Sequence, residues 1–228
     1  MEMDEHNEVS DWLGWHFLPD DRRLRFGERK LVVPGETVRV EGTLELCEWG
    51  LHASKRAIDA LQYAPGSIVS YVRLGGGDVV EGDDKACAHE RTPLWMADAT
   101  RTLHEFACWC AERGLARERE AGREPDARSW AGIEAKRRWL RGEISVRELA
   151  AARAAARAAT WAAAGAATWA AAWVAAEAAA RAAARVAAGD AAWDAARAAE
   201  RAAQNAKLEE MLWALRGTAA MRSGEGTK

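Results

Sequence analysis

Up to about Pro93 apolar and polar residues alternate in short runs; beyond it apolar residues recur at three- and four-residue intervals. The chain thus passes from a strand-forming to a helix-forming pattern. WLGWHFL at 12–18 predicts a strand that Pro19, Asp20 and Asp21 end by turn chemistry. Residues 24–26 and 30–33 flank Gly27 as a hairpin, and β-branched residues at 37–40 give a further strand after the Pro34-Gly35 turn. The stretch at 44–64, LELCEWGLHASKRAIDALQYA, organises the rest. It predicts a strand running into Gly50, a turn through His52 and Ser54, and a short helix with Ile58, Leu61 and Ala64 at helical spacing. Ser54 stands where an N-cap hydroxyl would accept from a backbone N–H of the first turn. Pro65-Gly66 stops that helix, SIVSYVRLGG starts a strand that Gly75-Gly76-Gly77 ends, 78–80 is another strand, and EGDDK at 81–85 is a polar turn. Such strands around one or two short helices predict an α+β domain with a small, mostly antiparallel sheet.

From Pro93 the residues Leu94, Met96, Ala97, Leu103, Phe106, Ala107, Cys110 and Leu115 follow a 3.6-residue rhythm and predict a helix from there to about 120. Gly122 and Pro125 interrupt it, 129–140 predicts a second helix, and Ser145-Val146-Arg147-Glu148 has the form of a capping box. From Leu149 to Arg216 alanine dominates, which costs no side-chain entropy on becoming helical. Arg153, Arg157, Arg181 and Arg185 build one face of this tail and Trp161, Trp169 and Trp173 another. As one rod it would be about 100 Å long at roughly 1.5 Å per residue. Gly165 and Gly189-Asp190 are places where it could break into a hairpin or bundle. An unpartnered Ala/Trp face also invites self-association between copies. The expected layout is an acidic leader at 1–11, the α+β domain at 12–120, a linker and helix at 121–144, the helical tail at 145–216 and a disordered C-terminus at 217–228.

Composition narrows the function classes. A formal charge of −3 and a pI near 6.0 give no basic field, so nucleic acid is not favoured as a partner, the less so because acids in the tail offset its arginines. The alanine tract is broken too often by charge to span a membrane. With no secretory h-region in the acidic N-terminus, the four cysteines, Cys47, Cys87, Cys108 and Cys110, read as free thiols of a cytoplasmic protein.

Candidate chemistry is sparse. His16 and His52 beside aromatics, with Ser54, suit either a pocket mouth or the edge of a core. Cys87, His89, His104, Cys108 and Cys110 include zinc-type ligands, but their spacing fits no common finger, so no metal is expected. Gly75-Gly76-Gly77 lacks the continuation of a phosphate loop. Charge at 81–85 suits a solvated turn better than a cation or amine site. The tail residues Trp161, Trp169, Trp173, Arg153, Arg157, Arg181 and Arg185 are the candidate binding surface for protein.

GWHFL at 14–18, LCEWGLHAS at 46–54, IDALQYAPGSIV at 58–69, GDDK at 82–85 and LWMADAT at 94–100 together resemble an uncharacterised domain family of phages and prophage-rich bacterial genomes. The resemblance covers about 12–115. It implies an accessory role for a phage or mobile element and no established activity; the leading expectation is a protein without cofactor that binds a host or phage protein in the host cytoplasm, with inhibition of a defence or regulatory complex as one such use. The order of His16, the G-L-H-x-S turn, a short helix and the strand IVSYVRL is also similar to ADP-ribosyltransferase-like folds. That similarity implies NAD as cofactor and a cleft lined by His16, His52 and Ser54. Glu81 and Glu90 are the acids placed where a catalytic Glu would be needed, though neither lies in the expected x-E-x-E setting.

Overall fold

A computed structural model describes residues 12–27, 29–158 and 183–224, with side chains at 12–27, 29–158 and 196–217. The fold is α+β, and it divides into two units: residues up to Thr102 together with those from Asn205 onward, and Leu103–Gln204.

In the first unit four strands form an antiparallel sheet in the order β1-β4-β7-β2: β1 (Trp12–Leu18), β2 (Val38–Arg39), β4 (Ile68–Gly75) and β7 (Glu90–Asp98). A second sheet orders β3 (Leu51–Ala53), β6 (Ala86–Ala88) and β5 (Val80–Glu81) as β3-β6-β5. Side-chain alternation fixes what each face does. Trp12, Gly14, His16 and Leu18 share one face of β1, opposite Leu74, Val72, Ser70 and Ile68 of β4. This face closes on the smaller sheet. Trp12, Val72 and Leu74 pack with Ala53, Ala86 and Ala88, and Leu18 and Ile68 pack with Leu51, Val32 and Val38. A pair of main-chain bonds between the buried residues Trp15 and Ser54, at 2.7 and 2.9 Å, joins β1 to the end of β3.

The other face carries Trp15, Tyr71 and Trp95 side by side across the three strands. It is covered by the C-terminal part of the long helix α5 (Ala183–Gly224), whose Trp213 meets those rings at centroid distances of 5.1, 4.8 and 5.6 Å. Leu208 and Leu212, on the same side of α5 as neighbours four residues apart, are fully buried.

Several expectations are corrected. The segment after Pro93 is strand, and the helix α2 (Thr100–Glu120) starts only after Ala99. Pro93 is tolerated although β7 is a central strand, because β2 pairs only with Arg91 and Glu90, and a bulge at Tyr71/Val72 lies opposite Pro93. The stretch 44–49 is a tight turn closed by Glu45 and Trp49, with Cys47 at φ 73°, and strand geometry begins only at Leu51. Ser54 does not cap α1 (Ala57–Gln62). Arg56 holds the cap position without a side-chain bond. The open donors of that helix go to α5 instead: Ala57 N–H donates to Glu209 Oε1 and Ile58 N–H to Asn205 Oδ1, both at 3.1 Å. The end of the helical tail is therefore part of the first unit. The turn at Gly27 is present, with Leu24 N–H donating to Lys30 O at 3.0 Å.

The second unit is helical. α2 from Leu103 and α3 (Ala127–Leu140) are joined by Arg137, which donates from Nη2 to Glu112 Oε2 at 2.7 Å. Asp126 caps α3, accepting from Arg128 N–H at 2.8 Å. Ser145 and Glu148 form the expected capping box, each accepting the other's N–H, at 2.8 and 3.2 Å, at the start of a helix α4 described from 146 to 158. Glu200 on α5 accepts from Arg113 at 2.9 Å and also from Arg117. α5 passes through Gly189-Asp190 unbroken and runs past Arg216 to Gly224. One glycine costs only about 1 kcal/mol relative to alanine in a helix otherwise made of strong formers.

Candidate functional site

The face of β1 and β4 that meets the smaller sheet is apolar except at its centre. There His16 and Ser70 are direct cross-strand partners. Ser70 is fully buried and its Oγ has no hydrogen-bond partner; His16 is half-buried as a residue, and its Nδ1 is shut from solvent and also unpartnered. The remaining buried unpartnered side-chain atoms among the described residues are indole nitrogens, so this pair is the one place where two such groups stand together.

Arg91 of β7 turns toward the same layer boundary. It is 4 % exposed, and the guanidinium donates from Nη1 to the main-chain carbonyl of His52 at 2.8 Å. No carboxylate of the described residues pairs with it, and burial draws its pKa down to about 10. Burial also holds His16 well below the ordinary histidine range, helped by the charges of Arg91 and His52, so its imidazole is neutral at pH 7. Sequence reasoning misses Arg91 because the pattern assigns residues 86–92 no element and the helical rhythm begins just after them, near Pro93. Read as a strand, ERTPLW would have placed Arg91 on the same face as Pro93.

His52 is on β3 between Leu51 and Ala53, which enter the core, so its side chain stands on the opposite face with Cys87 of β6. Its Nε2 accepts from Cys47 N–H at 3.1 Å, and burial lowers its pKa. His16 and Ser70 are thus paired, and Arg91 shares their face of the sheet, opposite Leu74, reaches the His52 main chain and makes its charge felt at His16, whereas the His52 side chain stands on the face of β3 turned away from the core. Ser54 is buried, and its main-chain N–H and C=O pair with those of Trp15.

The acids lie elsewhere. Glu90 is bound to Arg39 across β7 and β2 at 2.7 Å. Glu81 is exposed on β5 and lines a separate surface cleft of about 370 Å³ together with Trp12, Lys55, Arg56 and Lys85. Within that cleft Lys55 Nζ sits 4.1 Å above the Trp12 ring, and Arg56 grips Asp59 with two bonds at 2.6 and 2.9 Å. The cleft thus mixes both signs of charge, with Arg56 and Asp59 held as an ion pair.

The zinc-type residues are scattered. His89 Nε2 is 2.8 Å from Gly42 O, and Cys87 is buried on β6, whereas His104, Cys108 and Cys110 belong to the second unit. Among the described residues no group of three or more His, Cys, Asp or Glu is placed to hold a metal ion. No described helix is long and apolar enough to cross a membrane. Of the tail candidates, Arg153 and Arg157 are exposed on α4, and Arg185 lies in α5. Trp161, Trp169, Trp173 and Arg181 lie outside the described residues. Trp213, not among the candidates, is the tail tryptophan seen in contact.

Comparisons with family models, with curated proteins and with solved structures return no match.

Proposed function

We propose that this chain is an accessory protein of a phage or mobile element that works by binding, and that its first unit recognises a ligand bearing negative charge. The observation that carries this reading is the make-up of the His16, Ser70 and Arg91 group: donors and a buried cation, with no carboxylate of the described residues beside them. Such a set can hold an anion. It lacks the acid that a nucleophilic or proton-abstracting role would need, since Glu90 is engaged by Arg39 and Glu81 faces a different cleft. A host or phage protein in the host cytoplasm, with self-association through the helical tail, remains the partner arrangement that the sequence favours.

The second reading is NAD-dependent ADP-ribosyl transfer. What favours it is the position of His16 and Arg91 between two sheets, where a pyrophosphate could sit; what opposes it is the missing carboxylate. Incubation with NAD separates the two. Binding without turnover predicts no release of nicotinamide above the buffer rate. Release that His16→Ala abolishes would replace the first reading by the second.

A further inference from the structure

We infer that the group which completes the His16, Ser70 and Arg91 cluster is a compact oxyanion, the phosphate group of a ligand; this rests on the binding reading above and specifies its chemistry. A guanidinium carries five N–H donors, and Arg91 is seen to use one of them, on the neutral carbonyl of His52. A cation buried to 4 % exposure with one neutral partner is a configuration that folding alone disfavours, so its retention calls for a counter-charge that arrives from outside the fold.

Ser70 and His16 say where. They are directly opposed in the β1–β4 ladder, where Cβ atoms stand about 4.5–5.5 Å apart, yet neither Ser70 Oγ nor His16 Nδ1 satisfies the other. Two neighbouring polar atoms that both lack a partner, in a layer boundary otherwise filled by Trp12, Leu18, Val72 and Ile68, mark a shared third partner. His16 is half-buried, whereas Ser70 and Arg91 are buried, so the approach to the group from outside runs past that residue.

The sign and shape follow from the donors. A hydroxyl, an imidazole and a guanidinium without a carboxylate reject a metal cation or an amine. The planar fork of arginine matches two oxygens of an oxyanion. The three groups share one face of the sheet but stand on different strands, with His16 opposite Ser70 and Arg91 opposite Leu74, and a tetrahedral oxyanion, whose oxygens point in several directions, suits such a spread better than a planar carboxylate.

Calorimetric titration of the full chain with inorganic phosphate, and separately with ADP, tests this. The expected result is saturable one-site binding, weakened at least tenfold by Arg91→Met and several-fold by Ser70→Ala, while Arg91→Met raises the melting temperature of the unliganded protein. Equal affinity for the two probes identifies the phosphate group alone as the ligand, and tighter binding of ADP identifies a nucleotide. No saturable binding by the wild type, or binding that Ser70→Ala and Arg91→Met leave intact, overturns the inference and leaves ordered water as the occupant. Should Arg91→Met fail to fold, the wild type and Ser70→Ala still decide the matter. Nicotinamide release in a parallel NAD sample would instead overturn the binding reading, whatever phosphate does.

Discussion

Replacing Leu212 by alanine should loosen the strands of the first unit, although it changes a residue in a helical tail far along the chain. Leu212 and Leu208 have no exposed surface, and both lie in the part of α5 that belongs with the sheets. Truncating a buried leucine removes its transfer free energy and leaves a cavity, together about 2–5 kcal/mol. That is a large share of the net 5–15 kcal/mol typical of a domain. The neighbouring residues add to the expectation. Trp213 touches three rings of the sheet edge-on or tilted, and Glu209 and Asn205 satisfy the open N–H groups of α1. Hydrogen exchange resolved to peptides reads this locally. If the amides of β1 and β4 exchange through opening of the whole unit, 2–5 kcal/mol accelerates them roughly thirtyfold to several thousandfold, at about 1.4 kcal/mol per factor of ten. Val146→Ala, at a side chain 70 % exposed on α4, is the control and should stay within about 0.5 kcal/mol. Exchange in β1 and β4 that is no faster in Leu212→Ala than in the control would refute the assignment of the tail's end to the first unit.

Gly50 has φ 128°, and a Cβ there would lie 3.0 Å from Cys87 Cβ and 3.1 Å from Leu44 Cδ2, so Gly50→Val should cost about 1–3 kcal/mol or more; an unchanged melting temperature would contradict it. Because the folded pKa of His16 is depressed, below about pH 6.5 the unfolded chain binds a proton that the folded one refuses, and stability falls with pH by up to about 1.4 kcal/mol per unit. Denaturant midpoints from pH 7.5 to 5 should therefore drop less steeply in His16→Gln than in the wild type. Ser145→Ala removes one side of the capping box and should cost about 1 kcal/mol, seen as faster exchange at the start of α4 and not in the sheets. Triple replacement of Trp161, Trp169 and Trp173 by alanine should lower the sedimentation coefficient if the tail joins copies, and a wild type that already sediments as a monomer would rule that out.

Local patterns carried the parts of the fold that depend on local physics. Alternation at 12–18 and 67–75 placed β1 and β4, and the Ser145/Glu148 pair placed the start of α4, because period and capping are properties of a few adjacent residues. The segment at 90–98 was misread for a reason of the same kind. Leu94, Met96 and Ala97 continue into Leu103 and Phe106 at spacings a helix also allows, so the helical rhythm extends back to Pro93. The structure admits Pro93 because the β2 ladder stops at Arg91, and beyond it β7 has only to accept at Pro93, whose carbonyl takes Gly35 N–H at 2.7 Å, so the missing proline N–H is not called on. Nothing near Pro93 in sequence announces the length of β2.

The cluster was illegible for a stronger reason: its defining property is the absence of partners, and absence depends on register. His16 was noticed as a histidine among aromatics, but its importance comes from facing Ser70 and from the failure of either to find a bond there. A shift of one residue in β1 would turn His16 to the face that α5 covers and bring Trp15 or Phe17 opposite Ser70. Arg91 likewise looks like any arginine in a polar stretch until the sheet order buries it between β4 and β2, with its head on a carbonyl 39 positions away in the chain. The α1 cap has the same logic over a longer span, since Ala57 and Ile58 depend on Glu209 and Asn205 across 152 and 147 positions. Each of these contacts closes a long loop, whose entropy grows only slowly with length. Distant partners can therefore satisfy α1 where the residue at its cap position, Arg56, offers no side-chain acceptor and Ser54 stands two residues too early.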